Sequence, residues 1–268
     1  AIGARALQNQ NAGAEGNNTA VGYNSGFSVT TGVQNTLIGA AAGDALTDAD
    51  YNVALGYNTL SADTLGSRNT ALGYATLAAQ NFTTATDVYN TAVGFHAGNA
   101  ITTGNQNTLI GGLAGDALTN SDRNVAVGYF ALTTDTLGQY NTAIGYGSLQ
   151  TQNFTTATNS YNTAVGYSAG NDITTGVQNV LMGGTTGDAL TDADFNVAIG
   201  TGALSSDTLG STSTAIGHST LNAQNFTTAT TTYNTAVGYL AGNLVTTGLQ
   251  NTLIGALSGD ALTTGNSN

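Results

Sequence analysis

The feature that most constrains this chain is a repeat. Asn18-Thr19-Ala20-Val21-Gly22-Tyr23 recurs as Asn-Thr-Ala-Val-Gly at Asn90, Asn162 and Asn234, a constant advance of 72 in the numbering. Inside each such period, a core of Asn, two small or apolar positions, an aliphatic residue and Gly returns at steps of 17, 17, 17 and 21. The Asn slots are 18, 35, 52, 69, 90, 107, 124, 141, 162, 179, 196, 234, 251 and 268, with Ser213 in the remaining place. The Gly four residues on is invariant, from Gly22 through Gly39 and Gly56 to Gly255. A fixed short period means one supersecondary unit stacked on itself, each copy burying its apolar side against its neighbours.

Seventeen residues hold two short strands and two turns, and hardly a strand plus a helix. The cores read Thr-Ala-Val-Gly or Thr-Leu-Ile-Gly, with β-branched residues at alternate places. Gly, Thr and Asn recur too densely for a helical window. Pro, which would remove a ladder hydrogen bond, is absent. The pattern therefore predicts an elongated all-β fold. It is a parallel β-solenoid of about 15 rungs in a repeating 17/17/17/21 pattern, forming one repeat domain over 1–268, with repeats 18–89, 90–161, 162–233 and a partial 234–268. Both ends enter the pattern mid-array, as if cut from a longer fibre. A triangular hexapeptide helix needs an aliphatic residue every six positions; Asp44 follows Ile38 at that step, and the pattern fails.

Alternation places Val21, Ile38, Leu55 and Leu72 on one side of the strand, expected to fill the interior, with Ala20 and Gly22 on a flat opposite side. A second, weaker strand is expected to bring Val29, Leu46, Leu65 and Phe82 to the core. The recurring Gly serves either close backbone approach or a positive-φ turn, and the recurring Asn either an amide ladder or an Asx turn.

Composition narrows function. Three Arg and no Lys against 15 acidic residues, a formal charge of −12, cannot neutralise a phosphate backbone or an anionic membrane surface. No apolar run is long enough to insert in a membrane as a helix. Without Cys there is neither a disulfide framework nor a thiolate metal site. No nucleophile elbow or Gly-Lys-Ser/Thr loop appears, and His96 and His218 do not recur between repeats. The sequence thus reads as non-enzymatic, with no catalytic residue and no cofactor.

Three groups of residues are candidates for contact with something else. Asp44, Asp116, Asp188 and Asp260 share a slot and are weak calcium candidates, since hard cations take carboxylate oxygens; solvated turn aspartates are the plainer reading. Asp63, Asp135 and Asp207 share a second slot. The longest rungs carry Asn-Phe-Thr-Thr-Ala-Thr from Asn81, Asn153 and Asn225. Their extra residues should leave the stack, making Phe82, Tyr89, Phe154, Tyr161, Phe226 and Tyr233 possible receptor contacts, although such a Phe more often folds back over the core. The Thr pairs Thr30-Thr31, Thr102-Thr103, Thr174-Thr175 and Thr246-Thr247 raise a carbohydrate- or ice-binding module as an alternative, but recur only once per repeat.

The run Asn-Thr-Ala-Val-Gly-Tyr-x-Ala-Gly resembles the head repeats of trimeric autotransporter adhesins, and similar arrays occur in tail fibres of marine bacteriophages. The resemblance covers the whole chain through its cores, although the rungs here are longer. It implies a left-handed β-roll, three chains around one axis, an extracellular place on a cell surface or virion, and an adhesive function toward a host-surface glycan or protein.

Overall fold

The protein, seen in a computed structural model, is described at residues 1–11 and 13–268. It forms two compact units, Ala1–Tyr129 and Phe130–Asn268. Each is a parallel β-solenoid. Apart from one 3₁₀ turn at Gly13–Glu15, the described residues hold no helix.

In the first unit the strands Thr19–Val21, Thr36–Ile38, Val53–Leu55, Thr70–Leu72, Thr91–Val93, Thr108–Ile110 and Val125–Val127 pair in chain order, all parallel. The register never slips: Thr19 faces Thr36, Thr36 faces Val53, Val53 faces Thr70 and Thr70 faces Thr91. The second unit repeats this from Thr142–Ile144 through Thr163–Val165, Val180–Met182, Val197–Ile199, Thr214–Ile216 and Thr235–Val237 to Thr252–Ile254. Thr142 faces Thr163 across a long rung as squarely as Thr163 faces Val180 across a short one.

Each strand ends after three residues because its Gly turns the chain. Gly166 has φ +143°, and a Cβ there would collide with the carbonyl of Gly183 in the next rung. The two readings of the recurring Gly are therefore one device: the positive φ makes the corner, and the missing side chain lets successive corners nest. No second strand runs beside most rungs. The return is a series of turns, and only two-residue strands form there, Gly66–Ser67 against Thr86–Asp87 with its counterparts at Gly138–Gln139 and Gly210–Ser211.

The core reverses the expected strand parity. Ala20, Leu37, Ala54 and Ala71, the middle residues, are buried at 0–1% exposure, while Val21, Ile38 and Leu72 are half-buried and Leu55 is exposed. The physical reason is volume. One position, eight residues after each Asn, turns into the same space as the strand's middle residue. Where the strand offers Leu37, that position is Gly43, at which a Cβ would lie 2.8 Å from Leu37 Cδ2. Where the strand offers only Ala54 or Ala71, the position is Leu60 or Leu77, both fully buried. In the rungs with Ala20 and Ala92 both places are small, the second being Gly26 or Gly98, and Leu37 or Leu109 of the next rung reaches over them, so that the narrow interior is filled by exchange of volume between levels. Val29, Leu46 and Phe82 join it as expected, but Leu65 does not; Asp63 is buried in that rung instead.

The Asn slot is a buried ladder. Asn35 N–H donates to Asn18 Oδ1 at 2.7 Å, and Asn52 N–H to Asn35 Oδ1 at 2.9 Å. The same side chains close the return, as Asn35 Nδ2 donates to Ala49 O at 2.7 Å and Asn90 Nδ2 to Gly104 O at 2.8 Å. The amides thus supply partners for backbone groups that the turns leave over.

Candidate functional site

Three surfaces of each unit carry chemistry. The first is the outward side of the strands. Because Ala and Leu point in, Thr or Val at the first strand position and Val, Ile, Leu or Met at the third point out. Leu55 and Ile110 in the first unit, and Ile144, Met182 and Ile199 in the second, are exposed by 36–45%. No charged residue occurs in any of these three-residue strands.

A column of rings begins two residues beyond the aliphatic column, just past the Gly corner. Tyr57 stacks on Tyr74 at 5.5 Å and Tyr74 on Phe95 at 5.4 Å. Tyr146 stacks on Tyr167 at 5.4 Å. His96 lies against Phe95 and Tyr74, and His218 against Tyr239, so both histidines serve as further rings in this stack.

The long rungs form the third surface. Phe82, Phe154 and Phe226 are 6–7% exposed. As folded, their rings cover the core and are not available to a receptor, because each sits where a shorter rung has Val29 or Leu46. The extra residues leave the stack immediately afterwards: Thr83–Ala85 and the two equivalent triplets are exposed. Tyr89, Tyr161 and Tyr233 remain about half exposed at the loop ends. Arg68 braces the first loop, pairing with Asp87 at 2.9 Å and lying over Tyr51 and Tyr89.

What anchors these loops escaped sequence reasoning. Asp63 is fully buried. Its Oδ1 accepts the N–H groups of Gly66 and Phe82, each at 3.0 Å, and its Oδ2 accepts Gln80 Nε2 at 2.5 Å. Gln80 Oε1 in turn accepts Asn90 Nδ2 at 2.8 Å, joining the carboxylate to the Asn ladder. Asp135–Gln152–Asn162 and Asp207–Gln224–Asn234 repeat the arrangement. A carboxylate held by three neutral donors and no cation fixes where the long rung re-enters the stack. The signal that would have revealed it is a Gln at a constant interval: Gln80 after Asp63, Gln152 after Asp135 and Gln224 after Asp207.

Of the calcium candidates, Asp188 has a second acid, Asp172, beside it. Asp44 and Asp188 are half-buried, each with Oδ1 out of water and unpartnered by a hydrogen bond, while Asp260 is exposed. Among the described residues no three His, Cys, Asp or Glu side chains come together to hold a metal ion. Thr31 Oγ1 donates to Asp48 Oδ1 at 2.6 Å and Thr175 Oγ1 to Asp192 Oδ1 at 2.7 Å, so the Thr-Thr hydroxyls serve the acidic turns beside them.

Burial gives the acids a common direction. Desolvation raises the carboxyl of Asp44, of Asp135, of Asp188 and of Asp194 above the ordinary aspartate value near 3.8; Asp172 adds to this at Asp188 and Asp192 at Asp194. A raised acid binds its proton more tightly folded than unfolded. Stability is therefore expected to rise as pH falls from neutral through the raised values, and to stop gaining near the ordinary value. Discharging a chain of formal charge −12 acts in the same sense. The melting temperature at pH 4.5 should exceed that at pH 7; a lower value at pH 4.5 would contradict this account.

No described helix is long and apolar enough to cross a membrane. Comparison with known proteins returns no matching family model, no matching curated protein and no matching solved structure.

Proposed function

We propose that this chain is a non-enzymatic structural and adhesive segment of an extracellular fibre, on a cell surface or a virion, assembled from side-by-side copies of itself as a homotrimer. The observation that supports it best is the outward aliphatic column, uninterrupted in every strand of each unit and free of charge. On a chain with 15 acidic residues, copies repel wherever carboxylates face one another. The strand face lets them approach without that repulsion while burying apolar surface. Five rings beside it in the first unit, Tyr23, Tyr57, Tyr74, Phe95 and Tyr129, are 48–57% exposed. At about 150–250 Å² for an aromatic side chain they leave roughly 500 Å² of ring in water, already the size of the largest patch on a typical monomer. The aliphatic column extends that surface toward the roughly 800 Å² per partner of a stable interface. Three copies, like the adhesive role, is what the resemblance to adhesin heads and tail fibres implies.

The long-rung loops are the surface left for a host glycan or protein. Tyr161 and Tyr233 recur one repeat apart on one unit with their exposed Thr-Thr-Ala triplets, an arrangement that multiplies weak contacts. In light scattering the wild-type chain should exceed the 26.7 kDa of one copy several-fold. Leu55→Glu with Ile199→Glu should return it to one copy with its circular dichroism unchanged. Attachment to a glycan array should be lost on replacing Tyr89, Tyr161 and Tyr233 by Ser in the assembled protein. A wild-type monomer at micromolar concentration would refute the assembly, and attachment indifferent to the Tyr replacements would move the adhesive surface elsewhere.

A further inference from the structure

The ring columns are also sites of possible covalent chemistry, and the residue inventory makes this sharper. The chain has 12 Tyr, one Met, no Trp and no Cys, so one-electron oxidation falls chiefly on phenols. Six of those Tyr are held as neighbouring pairs. Tyr57 and Tyr74 lie 5.5 Å apart with planes 17° from parallel, Tyr146 and Tyr167 5.4 Å apart at 13°, and Tyr140 and Tyr161 5.1 Å apart at 27°. Each pair joins consecutive rungs, and the backbone holds two of the three directly: Ala75 N–H donates to Tyr57 O and Ser168 N–H to Tyr146 O, both at 2.9 Å. Tyr57, Tyr74, Tyr146, Tyr161 and Tyr167 are 47–61% exposed, open to a diffusing oxidant and able to turn about χ1 and χ2.

We propose that Tyr57–Tyr74, Tyr140–Tyr161 and Tyr146–Tyr167 are modification sites, coupled by a one-electron oxidant into dityrosine bridges between neighbouring rungs. Each phenol gives one electron to the oxidant and its hydroxyl proton to water. The two phenoxyl radicals then join ortho carbon to ortho carbon. The two displaced ortho hydrogens pass through solvent to the oxygens and restore both phenols. The product is two hydrogens lighter than the two side chains, and the oxidant has taken up two electrons. Stacking holds the second phenol where the first radical forms, raising its effective concentration over any free partner. In a chain without Cys, such bridges would do what disulfides do elsewhere, tying each rung covalently to the next.

The molecule contains its own controls. Tyr51 and Tyr89 share a column, but the Arg68 guanidinium lies between them, 4.7 and 5.8 Å from the two rings. Tyr23 has Ala40 in the matching slot of the next rung.

The test uses the full chain, half of it isotopically labelled, irradiated with ruthenium(II) tris-bipyridyl and persulfate. Blue dityrosine fluorescence should appear, and peptide mapping should place bridges at the three pairs, each carrying one label state only. The triple variant Tyr74→Phe, Tyr161→Phe, Tyr167→Phe keeps the rings and should lose these bridges. Mixed-label bridges as the main product, bridges involving Tyr23 or Tyr51 at equal yield, or tyrosine consumed without any bridge would overturn the proposal. Because the proposed assembly would cover part of the ring columns, the test is repeated on the Leu55→Glu, Ile199→Glu chain, and the label separates coupling within a chain from coupling between chains, so failure of the bridges and failure of the assembly are read apart.

Discussion

Gly166→Ala is expected to cost about 3 kcal/mol or more, although it adds a single methyl group. Two independent penalties coincide. The backbone at φ +143° lies in a region that L side chains rarely adopt, and holding a residue there costs about 1–3 kcal/mol. The new Cβ would also meet the carbonyl O and C of Gly183 and the N of Gly184. All are backbone atoms, and Gly183 is tied in turn by its N–H to Val165 O at 2.8 Å, so nothing flexible can yield. Gly184→Ala is the matched control, since its Cβ would meet nothing within 4 Å; that change should stay within about 0.5 kcal/mol. Stacked repeats need not unfold in one step. The comparison is therefore best made by amide exchange of the strands Thr163–Val165 and Val180–Met182 alongside the melting temperature. Equal effects of the two substitutions would show that the corner does not constrain the fold.

Asn162→Ala should be comparably damaging for a different reason. Asn162 Oδ1 accepts the N–H of Asn179 at 2.9 Å, and its Nδ2 donates to Gly176 O at 2.7 Å and to Gln152 Oε1 at 2.8 Å. Truncation strands all three partners away from water. An unsatisfied buried group costs about 1–3 kcal/mol, so three of them set a loss of at least about 3 kcal/mol. The damage spreads through Gln152 to the buried Asp135, which relies on that side chain for its one side-chain donor beside the backbone N–H groups of Gly138 and Phe154. Asn225→Ala, at an exposed Asn whose side chain accepts only a 3.3 Å bond from Thr208, should be near neutral. Urea denaturation of the two variants checks the difference, and a small effect at Asn162 would mean that water can replace the ladder.

The period, the parallel stacking and the slots of Asn and Gly were readable because a solenoid repeats its constraints, and each recurrence confirms the slot; which of two roles each residue plays, the sequence alone leaves open. Strand parity was not readable from the consensus. Ala and Val are both apolar, and a two-residue period fits either with either side inward. The deciding residue is the exception: Leu37, Leu109, Leu181 and Leu253 stand at the middle position, which no flat small-residue face would contain. The loop anchors were hidden for a related reason. Asp beside a turn ordinarily faces water, and only its pairing with a Gln from the next rung puts Asp63, Asp135 and Asp207 inside. The Phe of the long rungs was legible as core from its slot, the one that Val29 and Leu46 fill in shorter rungs, although it also stood as a receptor candidate.

The register across the long rungs has an evolutionary consequence. Thr70 meets Thr91 over a long rung and Thr91 meets Thr108 over a short one, with the same facing partners. Everything extra in the long rung is accommodated outside the ladder, after Phe82 has filled the core and before Thr86 rejoins Leu65 O by its N–H. Unequal crossover between repeats at that point would splice intact ladders whatever the sequence exchanged. The segment 83–85 and its counterparts, which all read Thr-Thr-Ala here, are thus positions where sequence and length can change without disturbing the ladder.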